Sequence, residues 1–156
     1  MLLTVENTKH LTSRDFLELL SIELFNSENL YLLLENRREG IPDYFYISAY
    51  ILEFDTEFEM QGLNTLLANS TTYNFYNALE SYKKINATPF VDALEGIIAV
   101  LQKFGLTPMD MRDKFITELE FEKIATELRV FEKKLYEIYA DFWDYLVSYL
   151  MKVRGK

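Results

Sequence analysis

Apolar residues recur at helical spacing along most of this chain, and no segment alternates apolar and polar residues as a half-buried strand does. Only 5 Gly and 3 Pro interrupt its 156 residues, so few turns and long elements are expected. This length is that of one ordinary domain. We therefore predict an all-α fold with one domain over residues 1–156, a multi-helix bundle that ends in a long C-terminal helix.

The first half of the chain predicts helices around one central element. Thr12 or Ser13 can cap the first helix, and a second stripe with Leu30, Leu33 and Leu34 stops at Gly40. From residue 43 to about 60, apolar side chains cover most of the helix circumference, which is typical of a helix enclosed by its neighbours. The Gln61-Gly62 pair is expected to loosen the chain after this central helix. Asn69-Ser70 is expected to end the segment that follows and to cap the next one.

The second half predicts further helices. Thr88-Pro89 is a cap followed by a proline, and the helix that starts there stops at Gly105, with Gly96 placed inside it for close packing. Residues 118–131 mix charges without a firm apolar stripe, so their boundaries stay open. From Lys133 onward a strong stripe predicts the long terminal helix.

Composition excludes several classes of function. The chain has no Cys, which removes disulfides, thiolate metal sites and Cys nucleophiles, and no apolar run approaches a membrane span. The first ten residues lack the pattern of a secretory signal, so we expect a cytoplasmic protein. The 16 basic and 25 acidic residues give a net charge of −9, which disfavours direct binding to nucleic acid or to an anionic membrane.

The acidic excess is concentrated in the middle of the chain. No basic residue lies between Arg38 and Lys83. On the central helix Glu53 and Glu57 are four residues apart and share a face, and so do Asp55 and Glu59. We interpret these four carboxylates as a solvated acidic face that binds a partner protein, and we expect the partner to be basic.

Catalytic and cofactor chemistry has little support in the sequence. His10 is the only histidine and has no partner at the spacing of a triad or of a metal motif. Paired carboxylates can hold a divalent cation, but helical carboxylate sites usually recruit ligands from other helices. The glycines are isolated, so no phosphate-binding loop is expected. We expect no metal, no cofactor and no enzymatic activity.

A more specific pattern lies between Glu57 and Ala87. Its first part consists of Glu57, Gly62, Leu63, Leu66, Leu67 and Asn69, in this order. Ala78-Leu79 and then Ile85-x-Ala87 follow. This pattern resembles a family of bacterial domains of unknown function that includes a DNA-mimic protein, with a broader likeness over residues 43–150. Gln61, Thr65 and Asn86 depart from the Gly, Gln and Gly that are common in the family.

The resemblance implies an all-helical fold. For the characterised relative it implies a dimer whose acidic surface imitates the phosphates of DNA and binds a DNA-binding protein, so a homodimer is a further expectation here. Two alternatives stay open. One is an immunity or antitoxin-type protein that neutralises a toxin, and the other is an enzyme with Glu57, Asn69 and Tyr73 lining a polar pocket behind Gly62.

Overall fold

A computed structural model describes residues 3–26, 33–35 and 37–156 of the chain. These residues contain eight α-helices with bounds and two short 3₁₀ segments, and no strand occurs among them. Residues 33–35 are also helical, whereas the predicted position of Leu30 lies outside the described residues. The α-helices are α1 (Val5–Thr8), α2 (Ser13–Phe25), α3 (Asp43–Ala68), α4 (Phe75–Lys84), α5 (Thr88–Lys103), α6 (Asp110–Asp113), α7 (Glu118–Ile138) and α8 (Phe142–Arg154).

The predicted all-α, single-domain fold is confirmed, and α3 is its central helix. Every residue from Phe45 to Asp55 is buried. Such burial on all sides agrees with the sequence, because apolar side chains cover nearly the whole circumference of this segment. Helices α2, α4, α7 and α8 all pack against α3, and the 3₁₀ segment Ser70–Asn74 turns the chain from α3 into α4.

Helix α5 packs closely on α7 through a glycine. A Cβ atom on Gly96 would overlap the ring of Phe131, so the aromatic ring occupies the space that a side chain would need. The predicted role of Gly96 in close packing is therefore confirmed. The start of α5 differs slightly from the prediction, because Ala87 is the N-cap and Thr88 is already helical.

The helix boundaries in the C-terminal region differ from the prediction. Residues 118–131, which lacked a firm stripe, form one 21-residue helix with residues up to Ile138. Its buried side chains Ile124, Leu128 and Leu135 share one face, and this stripe is thin because charged residues fill the positions between them. The stripe predicted from Lys133 is divided by a 3₁₀ turn at Tyr139–Asp141, after which α8 continues to Arg154.

The two ends of the chain are joined by Arg154. Its Nη2 donates to the carbonyl oxygens of Thr8 and Leu11 at 2.9 and 3.1 Å, and its Nη1 donates to Oγ of Ser13 at 3.3 Å. The guanidinium also lies 4.4 Å from the ring centroid of Phe16, a cation–π geometry. The N-terminal segment is thereby held against α8.

A candidate interaction surface at the kink of the central helix

Gly62 interrupts the helical backbone of α3. Its φ of 78° and ψ of 174° lie in a region that is essentially restricted to glycine. The interruption leaves the backbone N–H of Leu63 without a helical partner, and Oε2 of Glu132 on α7 accepts that N–H at 2.8 Å. A side chain from another helix therefore caps the second half of α3. The prediction that Gln61-Gly62 loosens the chain is confirmed as a defined kink.

Carboxylate and amide groups form a ladder along one face of α3 before the kink. Glu53, Glu57 and Gln61 follow each other at four-residue spacing. Oε2 of Glu57 accepts from Nε2 of Gln61 at 2.9 Å and from Nδ2 of Asn69 at 3.3 Å. Oε1 of Glu53 accepts from Nδ2 of Asn74 at 3.2 Å. The ladder thus ties α3 to the 3₁₀ segment that follows it.

Asn69 also caps the 3₁₀ segment that follows α3. Its Oδ1 accepts from the backbone N–H of Thr71 at 2.9 Å and caps the 3₁₀ segment Ser70–Asn74. The prediction that Asn69-Ser70 ends one segment and caps the next is confirmed.

The solvated acidic face predicted for four carboxylates is wrong for two of them. Glu53 is only 6% exposed and Asp55 only 8% exposed, because neighbouring helices enclose α3 from several sides. Burial, with a smaller contribution from the nearby charge of Glu57 at Glu53 and of Glu59 at Asp55, raises the pKa of each carboxyl to about 7. The amide of Asn74 opposes this shift at Glu53.

The other two predicted carboxylates reach the surface. Glu57 is half-buried and Glu59 is exposed. These two glutamates are two positions apart in the helix and so project from opposite sides of it. Near the kink, two apolar or aromatic side chains have large exposed fractions, Met60 at 73% and Tyr136 at 48%. The ring of Tyr136 packs on Phe58 with 4.6 Å between centroids, and its hydroxyl lies 3.4 Å from the Cβ position of Gly62.

We call this region the kink surface and define it by Glu57, Glu59, Met60, Glu132 and Tyr136. Glu132 and Tyr136 were missed by sequence reasoning, since both contact α3 from a helix that is distant along the chain, Glu132 across 69 positions of sequence. Their four-residue spacing within a helix was the only available signal. The kink surface combines partly or fully accessible carboxylates with exposed apolar groups, as protein-binding surfaces do.

The residues of the sequence pattern serve the local backbone. Leu63, Leu66 and Leu67 are fully buried and anchor the short second half of α3. Asn86 adopts φ of 58° in the turn after α4, a left-handed conformation that explains why glycine is common there. Ile85 and Ala87 on either side are buried.

The proposed enzymatic grouping of Glu57, Asn69 and Tyr73 is brought together only in part. Glu57 contacts Asn69, but the hydroxyl of Tyr73 donates to Asp113, the last residue of α6. His10 is exposed in a turn after α1. Within the described ranges no group of three or more His, Asp or Glu side chains is arranged to hold a metal ion, and no described helix is long and apolar enough to cross a membrane.

The described residues form a small all-α domain whose central helix has a glycine kink capped from α7. This architecture agrees with the all-helical family that the sequence pattern resembles. Residues 39–153 match the model of the DMP19-like protein family, so the chain belongs to that family. The match confirms the resemblance found at Glu57 to Ala87 and extends slightly beyond the predicted range of 43–150 at both ends. Comparisons with curated proteins and with solved structures gave no significant match.

Proposed function

We propose that this chain is an acidic protein-interaction domain whose kink surface binds a basic protein. Membership of the DMP19-like family supports a role in protein binding. The net charge of −9 adds attraction for a basic partner, and such charge acts mainly on the association rate and on specificity. The single observation that carries the proposal is the position of Glu57, Glu59 and Glu132 around an interrupted helix, beside exposed Met60 and Tyr136.

The more specific form of the proposal is that the partner is a DNA-binding protein and that the domain imitates DNA. Carboxylates on a rigid helical scaffold can present negative charge to a basic groove-binding surface. Gly62 and the hydrogen bond from the N–H of Leu63 to Glu132 fix the direction of the two halves of α3, and so fix the position of Glu132 relative to the carboxylates before the kink. Of the four predicted carboxylates we propose Glu57 and Glu59 as the ones that bind the partner, because solvent reaches them whereas the other two are buried.

Glu57 fits a binding role better than a catalytic one. Two amide groups already donate to a single oxygen of its carboxylate. A general base must be within reach of a substrate proton, and here Gln61 and Asn69 occupy that side of the carboxylate. We therefore propose no enzymatic activity, and we propose a cytoplasmic site of action and a homodimer as further features to test.

The test is affinity capture from bacterial lysate at low and high salt with wild-type protein, a Glu57→Gln/Glu59→Lys variant and a Glu18→Lys/Asp92→Gln control. The control makes the same change of net charge at exposed positions of α2 and α5. We expect one basic protein to be retained by the wild type and the control, to be lost from the variant, and to be released by high salt. Equal retention by all three proteins contradicts the proposal.

Competition with duplex DNA separates the two kinds of partner. A DNA-binding partner held by mimicry is released when duplex DNA is added, because both ligands use the same basic surface. A toxin neutralised by an immunity-type protein stays bound unless its blocked surface also binds DNA, and a nuclease or other toxicity assay identifies it. Retention in the presence of excess DNA contradicts the mimic form of the proposal but leaves the acidic interaction domain in place.

A further inference from the structure

A second surface stands apart from the kink surface, near the N-terminus of α7. Phe115 is 93% exposed and Leu119 is 65% exposed, and Phe115 has the highest value among the exposed large apolar side chains of the described residues. A hydrophobic side chain left in water forgoes the favourable free energy of burial. Two such side chains four positions apart mark a place where another molecule can gain that energy.

Leu119 also lines a groove of about 470 Å³. The groove runs along residues spaced i, i+3, i+4 and i+7 on α7, and its opposite wall is Phe104, the residue directly after α5. Its lining consists of Phe104, Leu119, Glu122, Lys123, Thr126 and Glu127. Seven residues of helix rise by about 10 Å, so the groove can accept roughly two turns of a helix.

The charges around the groove favour a basic occupant. Lys103 donates to Glu127 at 2.9 Å, so these two charges already neutralise each other. Glu118 and Glu122 are exposed and take part in no ion pair found among the described residues, and Lys123 is the one unpaired cation of the lining. The first turn of α7 also carries Glu120. Glu122 and Lys123 offset each other within the lining, so the acidic excess comes from Glu118 and Glu120 in the first turn of α7, next to the apolar Leu119.

We propose that this groove is a docking site for an amphipathic helix of a partner protein, with large apolar residues on one face and Lys or Arg on its flanks. The apolar face covers Phe104 and Leu119 in the groove and reaches Phe115 just before the N-terminus of α7, and the basic flank meets Glu118 and Glu122. A helix laid into an apolar groove is a recurrent mode of peptide recognition. The site is independent of the kink surface and goes beyond the function proposed for it.

Other occupants fit the same surface less well. A second copy of this chain would bring two acidic rims together between two molecules that each carry −9, and like charges across an interface oppose association. An anionic membrane surface would be repelled by Glu118 and Glu122 for the same reason. A basic amphipathic helix matches both the apolar floor and the acidic first turn of α7.

The test uses three fluorescent 14-residue helical peptides that share Leu and Phe at i, i+3, i+4 and i+7 and differ only in basic, neutral or acidic flanks. Fluorescence anisotropy measures their binding to wild-type protein, to a Phe115→Ser/Leu119→Ser variant and to a Val130→Ser control. Val130 is also on α7 and 64% exposed but does not line the groove. Circular dichroism establishes that all three proteins are folded.

We expect the basic peptide to bind the wild type and the control equally and the double variant at least tenfold more weakly. Its affinity should fall as salt rises, and the acidic peptide should bind at least tenfold more weakly than the basic one. No binding, equal binding to the double variant, or no preference among the peptides overturns the proposal. A dimer in sedimentation velocity that dissociates with Phe115→Ser/Leu119→Ser also overturns it, because a second copy is then the occupant.

Discussion

Asp55 provides the sharpest test of how the central helix is built, because it is a carboxylic acid enclosed in a core. Burial raises its pKa from 3.8 to about 7 in the folded protein. Between these two pKa values the folded protein keeps a proton on Asp55 that the unfolded chain releases. The contribution of this group to the free energy of unfolding is therefore fully present below pH 4 and is lost as the pH rises through 7. The difference of about three units corresponds to about 4 kcal/mol once Asp55 is ionised.

The substitution Asp55→Asn removes the charge and keeps the shape of the side chain. We expect the variant to exceed the wild type in unfolding free energy by about 4 kcal/mol at pH 8 and by about 3 kcal/mol at pH 6, with no difference near pH 3. Asp55 accepts no hydrogen bond from any described residue, so the amide loses no partner. The neighbouring Glu59→Gln removes an exposed charge and should change stability by only a few tenths of a kcal/mol.

Urea unfolding followed by circular dichroism at pH 3, 6 and 8 measures these differences. Glu53 shares the direction, since burial raises its pKa to about 7 as well, so the wild type itself should lose stability between pH 6 and 8. The reasoning is refuted if the wild type is equally stable at pH 6 and 8, or if Asp55→Asn destabilises the protein at pH 8.

Three further predictions concern the packing of the helices. Gly96→Ala should lower the free energy of unfolding by about 1–3 kcal/mol in the wild type, because the added Cβ meets Phe131. In a Phe131→Ala background the same change should raise it by up to about 1 kcal/mol, and a double-mutant cycle measured by urea unfolding tests this. Glu132→Ala should lower the free energy of unfolding by about 1–3 kcal/mol in thermal unfolding, since it leaves the N–H of Leu63 without its acceptor. The control Glu137→Ala, at an exposed position, should lower it by less than about 0.5 kcal/mol. Equal effects of the two substitutions would show that Glu132 does not cap the second half of α3. Arg154→Ala should increase hydrogen exchange within residues 5–25, while Lys152→Ala on the same helix should not, and unchanged exchange in the arginine variant would show that the two ends are held by other contacts.

The helices and the family pattern could be read from the sequence because their signals are local. Gly62 and Asn69 stand where a backbone interruption and a cap need those residue types, and Gly96 stands inside an apolar stripe. These interpretations required only neighbours along the chain, and each is confirmed.

Which side chains are accessible at the candidate surface could not be predicted from local signals. Spacing places Glu53 and Glu57 on one face of a helix, but it does not show that other helices enclose one of them and leave the other partly accessible. Glu132 acts on Leu63 across 69 positions of sequence, and a long-range contact of this kind leaves no periodic signal. Burial and long-range capping depend on tertiary packing, so the candidate site was predicted only in part.

The central claim is that accessible carboxylates of the kink surface bind a basic protein. The most direct measurement is the salt dependence of affinity for the captured partner, compared among the wild type, Glu59→Lys and the exposed control Glu18→Lys. We predict weaker binding and a shallower dependence of affinity on salt for Glu59→Lys, with Glu18→Lys close to the wild type, because only Glu59 lies on the binding surface. If both variants change affinity and salt dependence equally, net charge alone governs binding and the kink surface is not the site.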